Sequence, residues 1–524
     1  MAKFEIRHKD LMGRIAKLQT PHGPIETPAI MPVINPNLIS IGADEMKKNG
    51  AEMLITNAYI IYRKAELREE AAKRSVHSLL GSELPIMTDS GSYQLYEYGD
   101  VGVSNREILE FQQRIGSDIS VPLDIPTPPY AKRAIAERDL EITLRRMEEA
   151  RAIIKIKTNE DDKNKSKNNP LLTGVVQGST FVDLRAESAK RLASIGFDLY
   201  AIGGVVPLLE SYRFDKLVDI IVASKLNLPC DAPVHLFGAG HPIIFPLAVA
   251  LGCDLFDSAA YLLYAKGKRY MTSDGTRKLQ DLQYLPCSCP VCSSYTVNEL
   301  KTEEGVNLLA AHNLWVSFEE MRTVKQSIVE RNLWELCERR CRAYPALLTG
   351  LMQMARYSAL IEKYDPATKH PFLYLGPSST YRPEVLRYAN RLSRFTLSGN
   401  VLITTMTERD RDRDRDRDRE PKEESVIESK DKEEKEEFQH VFFVKPPFGP
   451  CPVELEETYP VGQAELPAEI DSDAKTVALQ NVLKLLESNH KKADFVFQYD
   501  HSWKDHLLLL IEEIGKYAEV RKTE

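Results

Sequence analysis

Three cysteines fall within six positions, Cys287, Cys289 and Cys292 in LPCSCPVCSS, in a chain of 524 residues with eight cysteines altogether. Cys-x-Cys-x-x-Cys lacks the paired halves of a zinc ribbon, so a fourth ligand has to come from elsewhere. His312, in LLAAHNLWVSFEEM, lies twenty residues after Cys292 on a stretch of helical spacing that can fold back. Three thiolates and one imidazole close a tetrahedral zinc sphere and leave no open position for water, which points to a structural ion. Reactive groups are then needed elsewhere, and two carboxylates are placed for the task. Asp89 leaves an apolar run directly into Ser-Gly-Ser in MTDSGSYQ, a turn whose amides can approach a flat ligand, with Tyr93 available to stack on a ring. Asp257, in FDSAAYLLYAKGKRYMT, is followed by the cations Lys266, Lys268 and Arg269. A carboxylate beside a cationic run suits attack on a sugar carbon next to phosphates. Two carboxylates on one rim can serve as nucleophile and as acid or base in glycosyl transfer.

Those residues must be brought together by the elements that carry them. From Ala29 to Ala260, short β-rich runs alternate with largely helical segments. The runs are AIMPVI (29–34), AEMLITN (51–57), LPIMTD (84–89), ISVPLD (119–124), TGVVQG (173–178), LYAIGG (199–204), VHLFGAG (234–240) and CDLFDS (253–258). Near-continuous apolar strands separated by helices indicate a parallel sheet. Eight such units favour a TIM (β/α)8 barrel over an open doubly wound sheet, since no Gly-x-Gly-x-x-Gly loop and no phosphate-binding Lys loop follows a strand. Asp89, Asp124, Gln177, Gly203 with Gly204, Gly238 with Gly240, and Asp257 all fall at C-terminal strand ends. One such residue is ordinary turn punctuation. As a set in a barrel they share one rim and converge on one pocket.

The expected architecture is α/β: a barrel over residues 1–355 with an inserted structural zinc-binding subdomain at about 275–320, then a smaller C-terminal α+β domain over 356–524. Two polar insertions interrupt it. TNEDDKNKSKNNP (158–170) reads as a solvated loop. The charged stretch at about 407–438, which begins with ERDRDRDRDRDRE, has too little apolar content to offset the entropy of ordering. Its aspartates neutralise its arginines, which argues against RNA binding.

With 43% apolar residues the chain can build ordinary cores, and its net charge of −8 argues against indiscriminate, polycation-like binding of nucleic acid while leaving room for a local basic patch on phosphates. The cysteine spacing favours a reducing compartment over a disulfide framework. The N-terminus MAKFEIRHKDLMGRI has no signal-peptide core, and no stretch approaches the roughly 18 apolar residues of a membrane span. A cytoplasmic protein with no membrane partner is expected.

Taken in order from about residue 5 to 350, MTDSGSYQ, VPLDIPTPP, GVVQGST, AIGGVV, HLFGAGHP, DLFDSAAY, CSCPVC and AHNL together resemble the tRNA-guanine transglycosylases. The form resembles the archaeal one, with TDSGSYQ in place of the bacterial Ser-Gly-Gly-Phe-Gln and a C-terminal extension that includes FGPCPVELEETYPVGQ. The resemblance implies a pentosyltransferase that exchanges guanine at position 15, in the D-arm of tRNA, for 7-cyano-7-deazaguanine on the route to archaeosine. It implies retaining double displacement through a covalent tRNA–enzyme intermediate, without a nucleotide cofactor. Asp257 matches the nucleophile on the ribose anomeric carbon and Asp89 its acid/base partner, with the converse assignment of nucleophile to Asp89 also open. Asp124 and Gln177 match residues that read the base edge, Gly204 and Val206 the backbone wall of the pocket, and Tyr93 a stacking aromatic. Cys287, Cys289, Cys292 and His312 match the ligands of one structural zinc. The resemblance also implies a homodimer. Full-length archaeal relatives end in a small RNA-binding domain of the PUA type, for which no segment remains before Glu524, so a separate PUA-domain protein is expected as a partner. The competing reading is a noncatalytic tRNA-binding subunit, which would be expected to lose one of the two aspartates. A metal-dependent barrel hydrolase needs strand-end histidines around an open metal position, and these are missing.

Overall fold

Three antiparallel strands that no motif above announces open the chain: β1 (Phe4–Asp10), β2 (Gly13–Thr20) and β3 (Gly23–Thr27). The eight apolar runs then supply eight strands, β4 (Ala29–Pro32), β5 (Leu54–Asn57), β6 (Ile86–Asp89), β7 (Ile119–Ser120), β8 (Leu171–Val176), β9 (Leu199–Ile202), β10 (Val234–Leu236) and β11 (Leu255–Ser258). All pair in parallel in the order β4-β11-β10-β9-β8-β7-β6-β5, and a parallel bridge between Val33 and Ile55 joins the two ends. The ring is closed, the expected (β/α)8 barrel. In this computed structural model, residues 3–92, 102–160, 169–369, 371–405, 438–503 and 507–523 are described. The chain divides into two compact units, Met1–Met354 and Ala355–Glu524.

The strands are shorter than the runs that announce them. β7 stops at Ser120 because Pro122 has no amide to extend the ladder. Met31, Met87, Val176, Ile202 and Phe256 are fully buried strand residues. The final polar residues Asn57, Asp89 and Asp257 are only partly buried, because they face the mouth. Outside the ring, the helix Asn105–Arg114 starts with the capping box of Ser104 and Glu107. The helix Arg133–Glu160 runs into the stretch read as a loop, and 161–168 lie outside the described residues.

The opening sheet is fastened across the N-terminal end of the barrel. Arg14 in β2 makes two 2.8 Å hydrogen bonds to Asp254, the residue before β11, and donates to the carbonyls of Ala232, at 2.6 Å, and Cys230. After β11 the chain forms a hairpin, β12 (Arg269–Thr272) with β13 (Gly275–Lys278), two short helices, and the long helix Gly305–Glu330.

The second unit carries a five-stranded sheet, β14 (Gly399–Thr404), β15 (His440–Lys445), β16 (Gly449–Pro452), β17 (Ala493–Tyr499) and β18 (Glu519–Lys522), in the order β16-β15-β14-β17-β18. Only β16 runs antiparallel to its neighbour. Leu479, Val482 and Leu486 of the helix Ser472–Asn489 pack with Phe442 and Phe497 of the sheet. Residues 406–437, where the charged repeat falls, lie outside the described residues, and Phe438 at its end is buried with Leu402 and Val496. Among the described residues no helix is long and apolar enough to cross a membrane.

Candidate active site and metal centre

β5 and β6 end in register, with Asn57 beside Asp89. Asn57 Nδ2 donates to Asp89 Oδ2 at 3.0 Å, and the amides of Ser90 and Gly91 add to the support. Burial, then the charges of Asp124 and Asp257, nevertheless push the Asp89 carboxyl up to about 7. Three carboxylates facing one mouth cannot all ionise without cost. The turn after Asp89 depends on Gly91, whose φ is +95° and whose Cβ, if present, would lie 2.5 Å from Tyr59. That turn brings Ser92 beneath the site, where its hydroxyl accepts from the Asp124 amide at 3.0 Å.

Asp257 is held on one side. Its Oδ1 accepts from His235 Nε2 at 2.9 Å and from the Gly238 amide at 2.7 Å, while Oδ2 takes no hydrogen bond from the described residues. Gly238, at φ +67°, turns its amide toward the carboxylate, and a side chain there would collide with Val206 at 2.3 Å. Val206 thus packs against the loop that supports Asp257.

The groups beside them are polar. Gln177 Nε2 donates to Asp124 Oδ2 at 2.5 Å, and both residues are buried. Burial raises the Asp124 carboxyl against the opposing hydrogen bonds of Ser92 and Gln177. Gly203 and Gly204 form the wall because Gln177 occupies the space a side chain would need: a Cβ would lie 2.5 Å from its Nε2 at Gly203, and 2.9 Å from its Oε1 at Gly204. Behind that wall the buried Arg185 bridges the carbonyls of Val176 and Gly203, at 2.9 and 2.8 Å, tying the ends of β8 and β9 together. Burial lowers its guanidinium to about 9. The structure therefore brings together Asp89, Asp124, Gln177, Gly204, Val206 and Asp257. Tyr93 lies outside the described residues. Asn57, Arg185 and His235 went unnoticed in the motifs. Asn57 had a usable signal, since it ends its apolar run as Asp89 does. His235 and Arg185 had none, being single polar residues within a strand and a helix.

The cationic run divides. Lys266 and Arg269 are exposed, Arg269 lying over the Tyr264 ring at 5.5 Å. Lys268 instead donates to the carbonyl oxygens of Thr302, at 2.7 Å, and Lys301, at 3.3 Å, and so fastens a helix end.

Cys287, Cys289, Cys292 and His312 present donor atoms that all lie within 4.8 Å of one another. Cys289 and Cys292 Sγ stand 3.4 and 3.3 Å from His312 Nδ1. Zinc–sulfur and zinc–nitrogen bonds at a tetrahedral angle would set that edge at about 3.6 Å. His312 Nε2 donates to the Met271 carbonyl at 3.0 Å, which fixes the tautomer and leaves Nδ1 free to bind an ion. Tyr270 stacks on the same ring at 3.8 Å. The four residues fit a closed metal centre that ties the β12–β13 hairpin region to the long helix.

A second cluster of ligand-type residues behaves differently. His22 and His77 stack with ring centroids 3.7 Å apart and planes 28° apart, each donating to a different oxygen of Asp118 at 2.9 Å. Amides of His22 and Ile86 donate to the same carboxylate at 2.8 and 2.7 Å. Near-parallel rings direct their lone pairs side by side, so this is a hydrogen-bonded clamp and not a convergent cradle.

A family model described as queuine tRNA-ribosyltransferase matches residues 10–346. A tRNA-guanine(15) transglycosylase of Methanosarcina acetivorans is 51% identical over 524 residues, covering 99% of this chain and 98% of that protein. One from Archaeoglobus fulgidus is 47% identical over 512 residues, or 97% of each chain. One from Methanocaldococcus jannaschii is 47% identical over 476 residues, which are 89% of this chain but 69% of that longer protein. Similarity of this extent, on a barrel whose mouth holds the expected aspartates, leads to one conclusion: the chain belongs to the tRNA-guanine transglycosylase family, pentosyltransferases that act on tRNA.

Proposed function

We propose that the protein exchanges guanine at position 15, in the D-arm of tRNA, for 7-cyano-7-deazaguanine, with Asp257 as nucleophile and Asp89 as general acid and base. The observation that carries this reading is the asymmetry of the two carboxylates. Asp257 has one oxygen held by two donors and the other open, the condition of an oriented nucleophile. Asp89, pushed up to about 7, is poised to give and take a proton near neutral pH.

The target base must first leave the stack to reach the pocket. Asp257 Oδ2 then bonds to the ribose anomeric carbon as the bond to guanine N9 breaks, and the departing base takes a proton from Asp89. Asp124 and Gln177 read its edge against the Gly204–Val206 wall, with Tyr93 as the stacking ring. The incoming deazaguanine returns its N9 proton to Asp89 while its nitrogen displaces Asp257 from the sugar. Two inversions give retention, and atoms and charge balance without a cofactor. Exposed Lys266 and Arg269 suit the tRNA backbone, while Lys268 holds the Lys301 and Thr302 carbonyls. We assign one zinc ion to the Cys287, Cys289, Cys292 and His312 centre, in a structural role.

A cytoplasmic homodimer, assisted by a separate PUA-type RNA-binding protein, completes the proposal, and adding such a protein should tighten tRNA binding. The noncatalytic alternative lacks support, because both aspartates stand in place. The test is incubation with radiolabelled guanine and tRNA transcripts. Wild type should incorporate label, and Asp257→Ala, Asp89→Ala or a transcript without guanine at position 15 should abolish it. No incorporation by wild type would overturn the proposal.

A further inference from the structure

We infer that His235 is a positioning residue that aims Asp257 and eases its departure from the sugar, an inference that rests on the proposed role of Asp257. His235 is the middle residue of β10, flanked in the ladder by Ala201 of β9 and Leu255 of β11, and it is fully buried. An imidazole at such a position is costly to bury unless it is used. Its Nε2 donates to Asp257 Oδ1 at 2.9 Å, beside the Gly238 amide at 2.7 Å. The described residues offer Nδ1 no partner, which favours the neutral tautomer with the proton on Nε2. The ring is held edge-to-face against Phe237 at 4.6 Å, so it cannot swing away freely.

Two donors on Oδ1 have opposite effects on the two halves of the exchange. When Oδ2 bonds to the anomeric carbon, the carboxylate loses its negative charge and both hydrogen bonds weaken. When the incoming nitrogen displaces Asp257, the charge returns to the carboxylate, and His235 with Gly238 stabilises it as it develops. Removing the imidazole donor should therefore slow the second displacement more than the first. The covalent tRNA–enzyme species should accumulate, which a merely structural role would not produce.

The test compares His235→Met, which removes the donor, with His235→Gln, whose side-chain amide reaches about as far as Nε2. Guanine exchange, KM for tRNA and the steady-state fraction of tRNA-linked enzyme on denaturing gels are measured for each, beside wild type and Asp257→Asn. We expect His235→Met to lose about 30-fold or more in kcat, with KM for tRNA falling in step so that kcat/KM for tRNA changes far less, and a raised covalent fraction. His235→Gln should recover most of the rate. Unchanged kcat in His235→Met, or an equal loss in the two variants without adduct accumulation, would overturn the inference. Should His235→Met fail to fold, His235→Asn, whose shorter amide does not reach Oδ1, takes its place under the same criteria. A silent wild type would instead remove the underlying reading, so the two failures are distinguishable.

Discussion

The barrel carries aspartates at both ends, and their surroundings are opposite. At the N-terminal end Asp118 accepts four hydrogen bonds, and Asp254 accepts a bidentate arginine and the Val234 amide. Imidazole and amide donors hold the Asp118 carboxyl below the usual range against the cost of its burial. At the C-terminal end, burial and neighbouring negative charge push Asp89 up, and Asp257 keeps one oxygen open. Saturated, ionised carboxylates hold strands together, while the open oxygen of Asp257 and the proton held by Asp89 are left for a substrate. The same residue type therefore has a stabilising role at one rim and a reactive role at the other, as the division of labour in such barrels leads one to expect.

Substitution should separate the two rims. Asp257→Asn should lower exchange by about four orders of magnitude with an unchanged melting profile, since the nucleophile is lost and nothing structural depends on Oδ2. Asp89→Asn should cost on the order of 100-fold or more and remove the decline in activity expected of wild type as pH rises through about 7. It should also stabilise. A carboxyl with a raised pKa holds a proton in the folded state that the unfolded chain releases, so stability falls between about pH 4 and 7 and stays low above. Removing that cost should add about 2 kcal/mol at pH 8, read by denaturant titration. A loss of stability there would contradict the contrast.

Asp118→Asn should do the reverse, costing about 3 kcal/mol while leaving kcat per folded molecule within about twofold. Because the Asp118 pKa is depressed, its contribution is present above about pH 4 and is lost as pH falls through the lower folded value. The smallest expected effect on chemistry belongs to the metal centre. Chelation should lower the melting temperature by several degrees and leave the rate per folded molecule within about threefold, whereas abolished turnover in folded protein would make the ion catalytic.

The eight barrel strands were legible because strands buried on both faces read as unbroken apolar runs, and because their polar ends punctuated them. The opening sheet was not, since β1 (FEIRHKD) mixes charged and apolar residues and shows no clean alternation. The Cys-x-Cys-x-x-Cys run announced its own chemistry, and His312 followed from the need for a fourth ligand. The Asp118 clamp was hidden because its partners lie 96 and 41 residues away, His22 in the turn between β2 and β3 and His77 in the short helix Val76–Leu80. His235 was hidden for a related reason, since a strand's interior histidine gains meaning only from the neighbour that the sheet places beside it. Lys268 looked equivalent to Lys266 in sequence, but its backbone at φ +50° turns its ammonium toward the Thr302 carbonyl.

The central claim is that Asp257, with its open oxygen, forms the bond to the sugar while Asp89 moves the proton. Trapping the tRNA-linked enzyme, digesting it and locating the ribose adduct by mass spectrometry tests this directly. The adduct is expected on the peptide containing Asp257, and an adduct on Asp89 would contradict the account.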